Sequence, residues 1–307
     1  VTPRYSIVVP TYRRAEVLGE CLACLAGLDY PLDAVEVRVY DNGSPQDARP
    51  IVEKMRHRFP HLAYTLNEPG HGLGYSLARG AGESTGDRIV ELNDDALVPP
   101  DFLTRLDATF AADPNIGVVG VRALESEYSA FGDGIGTFDP RTAGVVGNFH
   151  RETPGPVDVD HVYGFCYAYS RAVLARGGRH DRTLLAQDYS SGNRLETDHC
   201  LTAKRLGFRV VYDGTLAVRH LAKPRGDMSE RSPRWKLNHT RNTLYLYLKH
   251  FGPLGRRGLA ARFALRVDLG IVSALKHPTR ANWAYVWTGF RARASAVYHY
   301  GRHLAGA

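Results

Sequence analysis

The chain has 307 residues, 44% hydrophobic and 23% charged, with a formal net charge of +7. This length admits one large domain, or one domain with an appendage, and a sizeable core. No N-terminal segment has the layout of a signal peptide, and no charge-free apolar run reaches the roughly 18–20 residues of a spanning helix, so a cytoplasmic protein is expected. Four cysteines, at 21, 24, 166 and 200, give no disulfide framework. The Cys21/Cys24 pair lies in a helical pattern with no second pair at zinc spacing, which predicts buried structural thiols.

Strand and helix patterns alternate over the first 120 residues. SIVVP (Ser6 to Pro10) predicts a strand and Ala15 to Leu28 a helix. VEVRVY (Val35 to Tyr40) is the next strand, stopped by DNGS, and a helix follows from about Gln46 to Arg58. LAYTLN (Leu62 to Asn67) runs into EPGHGLG, then a helix from about Tyr75 to Glu83. RIVEL (Arg88 to Leu92) ends at NDD, DFLTRLDATFAA is helical, and IGVVGV (Ile116 to Val121) closes the series. Short β-branched runs alternating with amphipathic helices predict an α/β fold, a mainly parallel sheet flanked by helices. Ligands of such sheets sit beyond the carboxyl ends of the strands, where TYRR, DNGS and NDD all fall.

From about Arg122 to Asp160 the pattern turns glycine-rich and hairpin-like. VYGFCYAYS is a strand, Arg171 to Arg176 a short helix, LLAQDYSSGNR a loop, ETDHCLTAKRLG a helix and FRVVYD a strand. KPRGDMSERSPR (Lys223 to Arg234) reads as a linker or lid before C-terminal helical patterns rich in Arg and aromatics. Residues 1–222 carry 23 basic and 29 acidic side chains, residues 223–307 carry 16 and 3. The chain is an acidic body with a basic tail.

The segment ending in Asn93, Asp94 and Asp95 poses a physical problem. Charged groups at the end of a buried strand are costly unless something pairs with them. A surface turn capped by Asn and Asp answers it locally. A bound cation answers it otherwise. Asp41 in DNGS likewise reads alone as a turn residue, and Glu196 and Asp198 as acids favoured in a first helical turn. The literal D-x-D at Asp158 to Asp160 precedes a strand and reads as loop charge, with Asp160 able to approach a second substrate. GHGLG (Gly70 to Gly74) lacks the first-strand context of a dinucleotide fingerprint.

In order, SIVVPTYRR, VYDNGS, the strand ending NDD, YGFCYAYSRAVL, ETDHCLTAKRLGFRVVYDG and His220 resemble the family 2 glycosyltransferases. The resemblance covers about residues 5–222. It implies a GT-A catalytic domain over 1–222, a nucleotide-sugar half of about 1–121 and an acceptor half of about 122–222, with 223–307 a basic linker and helical extension. It implies an inverting, metal-dependent hexosyltransferase using a UDP- or dTDP-linked sugar. Asp95 falls where the family's metal-binding acid ends the central strand, and Asn93 departs from the acid that often precedes it. With His220 as a third ligand or a diphosphate contact, they would hold Mn²⁺ or Mg²⁺, hard cations that take oxygen ligands. Pro10, Thr11, Tyr12, Arg13, Asp41, Gly72 and Asp94 join the nucleotide-sugar set, with Arg13 at a position often held by Asn. Registration on Cys200 and Gly207 puts Glu196 in the place of the catalytic base, with Asp198 its neighbour in the motif. Asp160, Gly164, Phe165, Cys166 and His199 fall on the acceptor side.

Two rival readings remain. A nucleotidyltransferase on a similar sheet would want a glycine-rich loop after the first strand, which TYRRAEVLGE lacks. A non-catalytic scaffold would act through its basic tail. The acidic body and the lack of base-stacking aromatics argue against nucleic acid. In the tail, Trp283, Val286, Trp287 and Phe290 recur at helical spacing beside Arg280, Arg291 and Arg293, while Tyr245, Leu248 and Phe251 lie near Arg241 and Lys249. Such a face suits peripheral contact with an anionic membrane at its inner face, or packing onto the body. A carbohydrate, lipid-linked or small-molecule acceptor is expected, and a homodimer is left open.

Overall fold

The computed structural model describes residues 4–124, 133–139, 144–184, 194–221, 233–252 and 271–306. Most of the loop expected at 184–194 and the linker expected from Lys223 lie outside the described residues. The strands are β1 (Tyr5–Thr11), β2 (Val35–Asp41), β3 (His61–Leu66), β4 (Arg88–Leu92), β5 (Ala96–Leu97) and β6 (Ile116–Leu124), then β7 (Thr137–Asp139), β8 (Gly144–Val146), β9 (Pro156–Asp158), β10 (Cys166–Ser170) and β11 (Arg209–His220). The helices are α1 (Ala15–Leu25), α2 (Arg49–Met55), α3 (Leu73–Glu83), α4 (Phe102–Ala112), α5 (Arg171–Ala175), α6 (Leu195–Arg205), α7 (Pro233–Phe251) and α8 (Arg280–Leu304).

The main sheet has the order β3-β2-β1-β4-β10-β6-β11-β5, with β9 on β11. β1 to β4 pair in parallel, β6 and β11 also run parallel, and β10 is antiparallel to both its neighbours. Alternate residues feed two cores. Ile7, Val9, Val37, Val39, Val90 and Leu92 pack on one face, while Val8, Tyr40 and Ile89 pack on the other. Burial on both faces explains the near-continuous apolar strands. The chain steps outward from β1 to β2 and β3, then returns to place β4 on the other side of β1. That reversal opens a crevice at the carboxyl ends of β1 and β4.

Three expected boundaries shift for identifiable reasons. The helix expected from Gln46 starts at Arg49, because the Asp41 carboxylate takes the backbone N–H of Ser44 (2.9 Å) and Ala48 (3.4 Å) and holds the preceding loop. The strand expected over 162–170 begins only at Cys166, because residues 163–165 turn, with the Asn93 N–H donating to the Phe165 carbonyl at 2.8 Å. β11 outruns FRVVYD and reaches His220, its pairing with β6 interrupted between Asp213 and Ala217 and then resumed. Among the described residues no helix is long and apolar enough to cross a membrane.

Candidate functional site

At the switch point Asp94 and Asp95 have a cation within the chain. The Arg14 guanidinium, at the N-terminus of α1, pairs with Asp94 and donates to Asp95 Oδ2 at 2.8 Å. Thr11 donates its hydroxyl to Asp94 Oδ2 at 2.7 Å. The side chains of Arg14, Asp94 and Asp95 are 7%, 0% and 3% exposed, so the cluster is a buried ion network at the strand end. The second oxygen of Asp95, Oδ1, faces His220 Nε2 at 3.6 Å. The His220 ring rests on Phe165 (4.7 Å) and Tyr163 (5.6 Å). A carboxylate oxygen and an imidazole nitrogen so placed fit two ligands of one divalent ion. The Asn93 carboxamide beside them is half-buried.

A second group lies one residue along the 163–165 turn. A Cβ on Gly164 would stand 3.1 Å from Glu196 Oε2, so the absence of a side chain there makes room for this carboxylate. Burial raises the Glu196 pKa above the usual carboxylate range. Asp198, two positions on, points elsewhere. Its carboxylate is buried and accepts from Lys249 Nζ (2.8 Å) and His250 Nε2 (2.7 Å), which fastens α6 to α7. The two acids therefore divide, one at the glycine turn and one in an interhelix ion pair.

Several expected wall residues are interior. Asp41 is fully buried, its oxygens taken by the Ser44 and Ala48 N–H groups and by the Tyr64 hydroxyl (3.1 Å), so DNGS forms a braced loop. Asp94 is sealed beneath Arg14 and Thr11. Cys166 sits in the core, where burial pushes its thiol pKa up. His199, on α6, is 1% exposed and faces inward. Gly72 is buried at the start of α3 and Pro10 is buried in β1, whereas Asp160 is half-buried and accepts from Lys204 Nζ (2.5 Å) and the Phe138 N–H (2.9 Å). Tyr12 and Arg13 remain at the crevice surface. Arg13 has φ +57°, the left-handed region in which Asn is far better tolerated than Arg, and its N–H donates to Ser44 Oγ at 2.7 Å.

The sequence reading missed Arg14, the Lys249/His250 clamp, and an interior cluster built on Glu91. Of these only Arg14 left a signal, an arginine three positions past a strand that ends opposite two carboxylates.

Residues 6–178 match the glycosyl transferase family 2 profile, more than half of the chain. The chain belongs to glycosyl transferase family 2. A 126-residue stretch is 38% identical to the succinoglycan biosynthesis protein ExoM of Rhizobium meliloti, covering 40% of each chain. A 132-residue stretch is 30% identical to beta-monoglucosyldiacylglycerol synthase of Synechocystis, covering 42% of this chain and 27% of that protein. The family 2 chain thus matches well under half the length of these curated relatives. Its fold resembles the mannosyltransferase PcManGT of Pyrobaculum calidifontis, solved with GDP-Man and Mn²⁺, with a TM-score of 0.56 at 18% identity over 97% of this chain and 87% of that one. The architecture is GT-A.

Proposed function

We propose that this chain is an inverting glycosyltransferase that moves a sugar from a UDP- or dTDP-linked donor to an acceptor hydroxyl. The observation that carries the reading is the 163–165 turn. Its Gly164 backs onto Glu196, and its Phe165 supports His220, which faces Asp95. A proton acceptor and a candidate cation site are therefore held on adjacent residues of one short turn. Asp95 Oδ1 and His220 Nε2 would hold Mn²⁺ or Mg²⁺, which supplies positive charge to the departing diphosphate. The acceptor oxygen attacks the anomeric carbon as its proton passes to Glu196. The bond to the diphosphate oxygen breaks on the opposite side, and its electron pair leaves with the nucleoside diphosphate. A half-buried carboxylate with a raised pKa is a stronger base than an exposed one, which suits it to this transfer. Arg14 holds Asp94 and Asp95 in place while the donor enters, and Tyr12 and Arg13 lie where the nucleoside would meet the surface.

The basic helices give the reading a setting. On α8, Val286, Gly289, Ala292 and Ala296 are buried, whereas Trp283, Trp287, Phe290 and Tyr298 are 44–65% exposed. The helix carries Arg280, Arg291, Arg293 and Arg302 and no acidic residue. Exposed aromatics on a helix with four arginines and no acid suit an anionic lipid interface, where a lipid-linked acceptor would be found.

Glu196→Gln keeps the size of the side chain and removes the base. With a donor identified by screening nucleotide-sugars for thermal stabilisation, turnover should fall about 10²- to 10⁴-fold while donor affinity holds. Near-normal turnover in Glu196→Gln, with Asp198→Asn folded but inactive, would transfer the role to Asp198.

A further inference from the structure

The cluster around Glu91 is unusual for a core. Glu91 on β4, His180 after α5 and His199 on α6 are 1%, 7% and 1% exposed. One ligand atom from each lies within 4.8 Å of the others. Glu91 Oε1 meets His180 Nε2 at 2.5 Å and the Tyr169 hydroxyl at 2.9 Å, while Oε2 takes the Tyr167 hydroxyl at 2.6 Å. The single hydroxyl proton of Tyr167 is directed at Glu91. Its 3.3 Å contact with His199 Nδ1 then requires the proton on that nitrogen, which leaves Nε2 a bare lone pair. Among the described residues neither His199 Nε2 nor His180 Nδ1 has a hydrogen-bond partner. Unpaired buried groups of this kind are destabilising, and apolar side chains would fill the same volume without that cost.

We propose that Glu91, His180 and His199 form a buried site for a zinc-like divalent transition metal, separate from the Asp95–His220 pair, that ties the base-bearing helix to the central strand. Two imidazoles and a carboxylate are a zinc-type donor set, unlike the all-oxygen sets of Mg²⁺. Ligands at roughly 2.0–2.1 Å from a tetrahedral ion stand about 3.3 Å apart, so binding requires Glu91 and His180 to part slightly and His199 to close in. Binding exchanges the proton between His180 and Glu91 for the ion, and the proton leaves to solvent. Glu196 and Asp198, in the first turn of α6, offset the added positive charge. The Tyr167 and Tyr169 hydroxyls orient the Glu91 carboxylate, as outer-shell partners do for metal ligands. His180 also borders a cavity of about 920 Å³ lined by His71, Arg79, Arg171 and Arg179. His199 lies three positions after Glu196, on the same side of the helix, so the ion would fix the turn that presents the base. The site does not depend on the glycosyl-transfer reading.

The full chain, stripped with chelator, is titrated with Zn²⁺ by calorimetry and with Co²⁺ by visible absorption. The expected result is one tightly held ion per chain, with any uptake at Asp95–His220 weaker and displaced by excess Mg²⁺, and the intense d–d bands of four-coordinate Co²⁺. Tyr169→Phe should weaken affinity about 10- to 100-fold, the pair His180→Phe/His199→Leu should abolish it, and Asp95→Asn should leave it intact. Absence of uptake, the weak spectrum of six-coordinate Co²⁺, or loss of binding in Asp95→Asn would overturn the proposal. The spectrum of the unmutated chain decides even if the double variant fails to fold.

Discussion

Removing the guanidinium of Arg14 should be among the most damaging single changes to this fold outside the apolar core. Arg14→Met keeps most of the aliphatic volume and deletes the charge. Arg14 contacts both Asp94 and Asp95, and all three side chains are at most 7% exposed, so solvent cannot replace what is lost. Deleting one partner of a buried ion pair costs about 3–5 kcal/mol, because the remaining charge is left uncompensated. Two carboxylates then also repel each other. For a chain of this length each kcal/mol lowers the melting temperature by roughly 2 °C or slightly more, which puts the expected loss near 6–12 °C. The assay is thermal unfolding by circular dichroism at pH 7. The deficit should shrink towards acid pH, where protonation removes the unpaired charge, and Asp94→Asn introduced alongside should recover a large part of it. Arg14→Lys should fall between, since one ammonium cannot reproduce the forked contact with two acids. A melting temperature for Arg14→Met within about 2 °C of the unmutated chain would mean that the network is not the stabilising unit described.

Other consequences follow from the same geometry. Asp95→Ala, or excess chelator, should abolish turnover without unfolding the chain; full turnover in chelator, read by donor consumption, would remove the metal from the reaction. Because burial raises the pKa of Glu196, its ionised form is lost as pH falls through that raised value. The acid limb of kcat/KM should therefore lie above the ordinary carboxylate range and vanish in Glu196→Gln; a limb at the pKa of an exposed carboxylate would count against Glu196 as the base. Arg13→Asn should stabilise by about 0.5–1 kcal/mol by relieving the left-handed backbone, seen as a higher melting temperature; a decrease would show that the Arg13 side chain contributes more than its backbone costs. Vesicles rich in phosphatidylglycerol should blue-shift tryptophan emission at low salt, an effect that salt and a Trp287→Ser/Phe290→Ser pair both weaken; no shift at low salt would leave the α8 face without a lipid role.

The sheet was legible because it is buried on both sides. Runs such as Ile7–Val9 and Ile89–Val90 must be apolar at every position to serve two cores, and that pattern is visible in one dimension. The ends of the strands were legible for the same reason, since polarity returns abruptly where a strand leaves the core. What the residues do at those ends was harder to read, because it depends on backbone angles and on partners far along the chain. TYRR offers two adjacent arginines, and composition cannot say which one turns inward. In the structure Arg13 takes a positive φ and stays exposed, while Arg14 lies beneath the turn and reaches the carboxylates 80 residues away. The same holds for Glu196 and Asp198, alike in sequence but set in different surroundings, beside Gly164 in one case and Lys249 in the other. His180 and His199 were each unremarkable singly, since nothing local connects them to a glutamate on β4. The opening problem of acids at a buried strand end therefore has two answers at different depths. Asp94 and one oxygen of Asp95 are neutralised from within the chain by Arg14. The other oxygen of Asp95 is turned towards His220, 3.6 Å from its Nε2, the pair on which the proposed cation site rests.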